Sequence, residues 1–305
     1  MNGKYRIYDD GKLIAEIPNV ITTEGKKIIT RFLAKNNNAW AGAMCVGSGR
    51  SAASAADKTL NFEYSRFPVY YSYGFYDTTY KIIFKAMMPE NFAGAIEEIG
   101  MYSQASNSNA STYDSAISLF DSVSEWTATT VTVVEQPSIA TIASTADSRI
   151  KTGTAGYYVT GTGDLYKNVS HINFGEYAAS DSFALGYGLS ASSATTAIRF
   201  EKDASNYYAA TAVTGGTLSQ NNITTFTKSS MTPTGSLSWA DVVGVRIVIT
   251  SNTGGVYLDG LRPVVINHYN EDYGLVSRAI SGSEDSLIKR AGSRLDLEYE
   301  VTLNL

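Results

Sequence analysis

The sequence predicts a mainly β protein, in which a small α+β domain of one sheet and one helix is interrupted by an inserted antiparallel β-sandwich of jelly-roll type. Three observations carry this reading. Short runs of alternating apolar and polar residues, separated by turn residues, fill the middle of the chain from Ala116 to about Val265. One amphipathic helical stretch stands near the start. Near the end, Leu295, Leu297, Tyr299, Val301 and Leu303 alternate with Asp296, Glu298, Glu300 and Thr302, the pattern of a half-buried strand. Such a strand needs a sheet to join, and the strands of the first hundred residues are the candidates. The expected organisation is therefore 1–113 and 266–305 as one domain, with 114–265 inserted in an exposed loop.

Each element follows in order. "KYRIYDDGKLIAEIP" reads as a hairpin turning at Asp10-Gly11, with Tyr5 and Ile7 on one face of the first arm and Leu13 and Ile17 together on the second. In "NVITTEGKKIITRFLAKNNN", Thr22 or Thr23 caps a helix, Glu24 sits in its first turn, and Ile28, Ile29, Phe32 and Leu33 form its apolar stripe. "PVYYSYGFYDTTYKIIFKAMM" is expected to be a twisted hairpin around Gly74 and Asp77, and "GAIEEIGMYSQ" a strand. The polar stretch 103–115 reads as a linker.

Composition narrows the function classes. Lys and Arg number 24 against 29 Asp and Glu, a net charge of −5, so nothing draws the chain to nucleic-acid phosphates or anionic membranes. Charged residues are 17%, below the usual quarter, while Tyr (21) and Gly (26) are plentiful, a balance that suits β-structure better than a helical enzyme. Cys45 is the single cysteine, which excludes an intrachain disulfide and a Cys-rich zinc site; within "AMCV" it reads as a small buried hydrophobe. The start lacks the apolar core of a signal peptide and no apolar run has transmembrane length, so cytoplasmic synthesis is expected.

The search for catalytic chemistry finds none. "VGSGRSAAS" has the glycines of a phosphate loop but no lysine after them, and it lacks the third glycine of a dinucleotide fold. His171 and His268 fall in different domains and form no zinc motif, and there is no G-x-S-x-G elbow. Glu97 and Glu98 are adjacent in a strand and point to opposite faces; one is expected to be solvated and the other bound to Arg or a backbone amide. Asp121 and Asp259 can meet where the first and last strands of the insert pair, and their oxygens could hold a structural Ca²⁺, or Asp259 could bind turn amides before Gly260. No other cofactor is expected. Trp126, Tyr187, Tyr207, Tyr208 and Trp239 are aromatic enough to stack on sugar rings, or to serve as core.

"NVITTEGKKIITRFL", "VGSGRSAASAADKTLNFEYSR" and "MPENFAGAIEEIGMYS", in that order, resemble a pattern of tailed-bacteriophage virion proteins of the tail-fibre, baseplate and collar type. Gly47, Gly49, Asp57, Leu60, Glu63 and Arg66 match the loop of that pattern, and Gly94, Glu98, Gly100 and Tyr102 match the strand after it. "SRAI" and "IKRAGSRLDLEYEVTL" look like the closing strands of the same domain, and the insert resembles a concanavalin A-like or carbohydrate-binding-module jelly roll. The resemblance implies a non-enzymatic structural component of the virion, made in the host cytoplasm, homo-oligomeric, touching other virion proteins and displaying the jelly roll to host-surface glycan. It implies neither nucleic-acid binding nor membrane insertion. A capsid decoration or head-fibre protein is the alternative, and a polysaccharide hydrolase or lyase the more distant one.

Physically, the loop reads as a protein clamp. Gly47 and Gly49 are expected at positive φ in a tight turn. Ser51 to Ala56 are small enough to run close over a neighbouring surface, and Leu60 and Phe62 anchor the loop. Glu63 and Arg66 are placed to pair at i,i+3 or across a subunit contact.

Overall fold

The structure is a computed structural model and describes residues 2–76, 80–104, 116–190, 194–214, 222–264, 273–281 and 287–303. The turn at Asp77, His268, most of the 103–115 stretch and the junctions at 113/114 and 265/266 lie outside the described residues. The chain divides into two compact units, Met1–Asp114 with His268–Leu305, and Ser115–Asn267.

Among the described residues the first unit contains two five-stranded antiparallel sheets and a two-stranded pair. One sheet runs Lys12–Pro18, Asn2–Asp9, Leu295–Leu303, Tyr80–Met88, Tyr71–Tyr76. The other runs Val20–Ile21, Leu275–Ile280, Glu98–Tyr102, Ala43–Gly47, Glu63–Pro68. The late alternating strand lies at the centre of the first sheet, paired with Asn2–Asp9 on one side and Tyr80–Met88 on the other. Its apolar face, Leu295, Leu297, Tyr299 and Val301, is buried with Tyr5, Ile7, Phe84, Met44 and Ile28 in one core. Its other face is a ladder of ion pairs. Glu298 meets Lys85 Nζ at 2.8 Å, and Glu300 meets Arg6 at 2.7 Å and Lys81 at 3.4 Å. The alternation thus satisfies both faces, one by burial and one by cross-strand charge.

The first hairpin turns at Asp10 (φ 49°) and Gly11 (φ 78°), the two positive angles of a tight two-residue turn. A register shift at Ile7/Tyr8 changes the phase of the pairing, so Leu13 stands opposite Tyr8 and is exposed while Ile17 is buried. The expected sharing of a face by Leu13 and Ile17 fails for that reason.

The helix spans Thr23–Leu33, and Thr22 caps it by accepting the Gly25 N–H at 2.8 Å. Ile28 and Ile29 are buried, whereas Phe32 and Leu33 are exposed, so the expected stripe is covered only over its first half. Gly25 lets the helix pass close to the sheet, since a Cβ there would lie 2.1 Å from the Val276 carbonyl oxygen.

The second unit is an antiparallel sandwich. Its larger sheet runs Thr127–Thr129, Gly163–Asn168, Gly244–Asn252, Ala194–Asp203, Asn206–Ala209, Thr232–Thr234, with Val213–Thr214 also on Ala194–Asp203. The smaller runs Thr132–Pro137, Ala155–Thr160, Val256–Val264, Ser182–Leu189, Asn222–Thr227. Phe174, Phe183 and Phe200 pack ring on ring between them, with centroids 4.3 to 5.8 Å apart. Among the described residues the helices of this unit are short 3₁₀ turns.

Gly25 generates a test in which two effects oppose. Alanine favours a helix by about 1 kcal/mol over glycine, but here it must push the helix off the Leu275–Ile280 strand, a clash costing about 1–3 kcal/mol and breaking the 3.0 Å bond from Thr22 N–H to the Val276 carbonyl. Gly25→Ala is expected to lower the urea midpoint of the first unit; an unchanged or raised midpoint would mean the helix shifts freely.

Candidate functional site

The loop 48–62 follows the Ala43–Gly47 strand, and its geometry is set from below by one carboxylate. Glu98 opens the strand Glu98–Tyr102 and is fully buried. Its Oε1 accepts the N–H groups of Gly49 (3.0 Å) and Phe62 (2.7 Å), and its Oε2 accepts that of Asn61 (2.9 Å). Arg278, also fully buried, reaches the same Oε2 through Nη2 at 2.8 Å and Nε at 3.0 Å. The remaining donors of Arg278 bind Asp57 Oδ2 at 2.8 Å and the Ser51 carbonyl and hydroxyl at 3.1 and 3.2 Å. Leu60 packs beneath with Cys45, Tyr102, Tyr273 and Leu275. Gly47, Gly49, Asp57 and Leu60 are thereby brought to one place.

Glu63 and Arg66 form a second constellation. They pair side-on within the chain, at 2.8 and 3.1 Å, and the guanidinium lies 4.2 Å over the Tyr102 ring and donates to the Tyr273 hydroxyl. Two expectations need correction. Gly47 and Gly49 do not have positive φ; they are glycines because a Cβ on either would lie 2.5 Å from Glu98 Oε1. Nor is either member of the Glu97–Glu98 pair solvated: Glu97 is 4% exposed and bonds to Arg50. The amides that would cradle a phosphate are already turned to Glu98. Arg278 is the residue that sequence reasoning missed; its signal was an arginine inside the apolar run "LVSRAI".

In the sandwich, Asp121 and Asp259 both reach the 151–155 segment. Asp259 is fully buried and accepts the N–H groups of Lys151 (2.7 Å) and Thr152 (3.0 Å) and the Thr152 hydroxyl. Asp121 accepts the N–H groups of Thr154 (2.9 Å) and Ala155 (3.2 Å) on Oδ1, which leaves Oδ2 as the oxygen available to a cation. Burial, with a smaller contribution from the charge of Asp121, pushes the Asp259 carboxyl up to about 7. No group of three or more His, Cys, Asp or Glu side chains suited to a metal occurs among the described residues.

The outer face of the seven-stranded sheet carries the other candidate. Strand pairing places Thr127, Tyr166, Arg246, Arg199, Ala209 and Thr232 in one row, and Gly244, Glu201, Tyr207 and Thr234 in the next. The Tyr166 ring lies over Gly244, where a Cβ would come within 2.3 Å of it. Arg246 stacks 5.0 Å from that ring and binds Glu201 through two bonds of 2.8 and 2.7 Å and Asp164 at 2.5 Å. Arg199 lies 4.5 Å over Tyr207. The face therefore offers two partly exposed rings with charged hydrogen-bonding groups between them. Of the aromatics marked in the sequence, Trp126 and Tyr187 are buried, Tyr208 stacks on Trp239 at 4.1 Å, and Tyr207 stands on this face. Tyr166 was not anticipated.

No family model matches the chain, and no curated protein matches it. Solved structures do. The C-terminal family 22 carbohydrate binding module of Clostridium thermocellum Xyn10B is 17% identical, with a TM-score of 0.33, over 53% of this chain and 98% of that one. A family 11 module from Clostridium thermocellum, in complex with a β-1,3-1,4-mixed-linked tetrasaccharide, is 12% identical, with a TM-score of 0.34, over 49% and 94%. The enzymatically active domain of bacteriophage CBA120 tailspike protein 4 is 13% identical, with a TM-score of 0.29, over 48% of this chain and 20% of that one. At these scores the likenesses carry no functional argument.

Two substitutions test the geometry. Glu98→Gln leaves the buried Arg278 charge without its main partner, a loss of about 3–5 kcal/mol; the first unit's urea transition should move by that amount while the second unit's stays. An unmoved first transition would show that packing alone holds the loop. For Asp259, a folded pKa of about 7 lies above an unfolded value of about 3.9, so the folded state holds a proton that the unfolded state releases. That stability is fully present below about pH 4 and is lost as pH rises to about 7. Urea midpoints of the second unit should fall across this window in the wild type relative to Asp259→Asn, and parallel curves would overturn the assignment.

Proposed function

We propose that the chain is a non-enzymatic structural component of a bacteriophage virion, in the tail, baseplate or fibre, which assembles through the first unit and presents the sandwich to host-surface glycan. The observation that carries the glycan part is the outer sheet face. Apolar sugar faces stack on aromatic rings, and sugar hydroxyls bond to charged side chains. Tyr166 and Tyr207 lie three strand spacings apart, about 14 Å, a span that suits an oligosaccharide better than one ring.

The virion part is supported by the loop motif. Its matched residues converge on Glu98 and Arg278 or on the Glu63–Arg66 pair, and the loop turns Ser51, Ala52, Ser54, Ala55 and Ala56 outward as a smooth surface of small residues. Homo-oligomerisation is supported by the strand Tyr71–Tyr76, which among the described residues pairs on one side only and exposes Tyr71 and Phe75 beside Tyr70. A Ca²⁺ ion belongs to the same proposal, since it would offset the mutual repulsion of Asp121 and Asp259. It would favour the ionised form and so flatten the pH dependence of the second unit relative to EDTA; identical curves would remove the ion.

On a glycan array the full chain should bind, and Tyr166→Ala and Tyr207→Ala should each weaken the hit about three- to ten-fold, the loss of one stacked ring. Mass spectrometry of purified phage particles should find the chain, and its absence would sink the virion reading.

A further inference from the structure

We infer that the glycan taken by the outer sheet face is an acidic one, a polymer bearing uronic-acid carboxylates, with Arg199 as the residue that receives the carboxylate; this rests on the glycan reading above. Arg199 and Arg246 stand directly opposite each other on neighbouring strands, a juxtaposition of like charges that costs stability. The two carboxylates nearby do not share themselves between the two arginines. Glu201 gives both oxygens to Arg246, at 2.7 and 2.8 Å, and Asp164 gives it a third bond at 2.5 Å. Arg199 has no carboxylate partner among the described residues, and its contact is the Tyr207 ring 4.5 Å away.

The arrangement leaves one arginine of the pair, among the described residues, without a carboxylate in direct contact. Stacking on Tyr207 limits the freedom of the side chain, so less is lost when a ligand fixes it. Its neighbours on the same face include Ala197 and Ala209, whose single methyl groups add little bulk beside the half-buried Arg199. A planar fork of N–H donors matches a planar carboxylate through two parallel bonds. Glu201 and Asp164 balance the two arginines in number, but both are in contact with Arg246; a ligand carboxylate would give Arg199 the direct charged partner that a neutral sugar hydroxyl does not. The chain as a whole is acidic, with a net charge of −5, so the attraction is local to this face and is not a general affinity for anions.

The test uses the full chain and a panel of uronate oligosaccharides (oligogalacturonate, oligomannuronate and hyaluronan fragments), each beside its carboxyl-reduced neutral counterpart. At least one acid should bind ten-fold or more tighter than its reduced counterpart, and that preference should shrink as salt rises. In Arg199→Gln the ratio of acid to neutral affinity should fall to about one, while Arg199→Lys, which keeps the charge without the fork, should retain part of it. Equal binding of acid and reduced forms, or a preference that survives in Arg199→Gln, overturns the acidic assignment and leaves glycan binding standing. Failure of every acid while a neutral glycan binds does the same. Failure of acidic and neutral glycans alike overturns the glycan reading with it.

Discussion

The first unit depends on a carboxylate and a guanidinium taken completely out of water. Glu98 and Arg278 are 180 residues apart in sequence, and desolvating each costs several kcal/mol unless every donor and acceptor finds a partner. They do: three backbone N–H groups and one arginine converge on the carboxylate, and Asp57 and Ser51 take the remaining donors. The pair also selects a conformation. A loop with its glycines in any other path would lose the three amide bonds to Glu98 and the Asp57 and Ser51 bonds to Arg278, so the loop is held from its underside and its small residues face outward.

The sandwich meets its constraints differently. Aromatic packing fills the space between its sheets, while on the outer face of the larger sheet the carboxylates are placed asymmetrically, with three bonds to Arg246 and, among the described residues, none to Arg199. An even division would have satisfied both cations. The first unit is thus held by a buried pair whose donors and acceptors are taken up within the chain, whereas the second displays one arginine, Arg199, with an aromatic ring as its contact.

Much of this was legible in sequence because it is local or periodic. The Asp10-Gly11 turn, the Thr22 cap and the alternation from Leu295 to Leu303 each express a single repeat or a single steric preference, and the structure has all three. What escaped was whatever depended on a distant partner. Gly47 and Gly49 read as turn glycines, yet they are small because the carboxylate of Glu98 lies against them. Arg278 had no neighbour in sequence to announce it. Leu13 was assigned the wrong face because the register shift that leaves Ile14 of its own strand unpaired has no signature in either strand alone. On the sheet face Tyr207 could be named as an aromatic, but its companions Tyr166 and Arg199 come from other strands, and only the pairing brings them into adjoining rows.

The central position of Leu295–Leu303 in its sheet has a consequence for biosynthesis. Ribosomes add about 5–20 residues per second, so after Tyr102 emerges, roughly ten to thirty seconds pass before Leu275 follows, and the middle strand of the first sheet comes later still. The sandwich has all its strands by then and can close on its own. The flanking strands meanwhile wait with their apolar faces uncovered, a natural substrate for chaperones. A nascent chain released before Leu295–Leu303 is made lacks the strand that joins the two halves of the first sheet, so synthesis of that strand is the checkpoint for folding of the first unit.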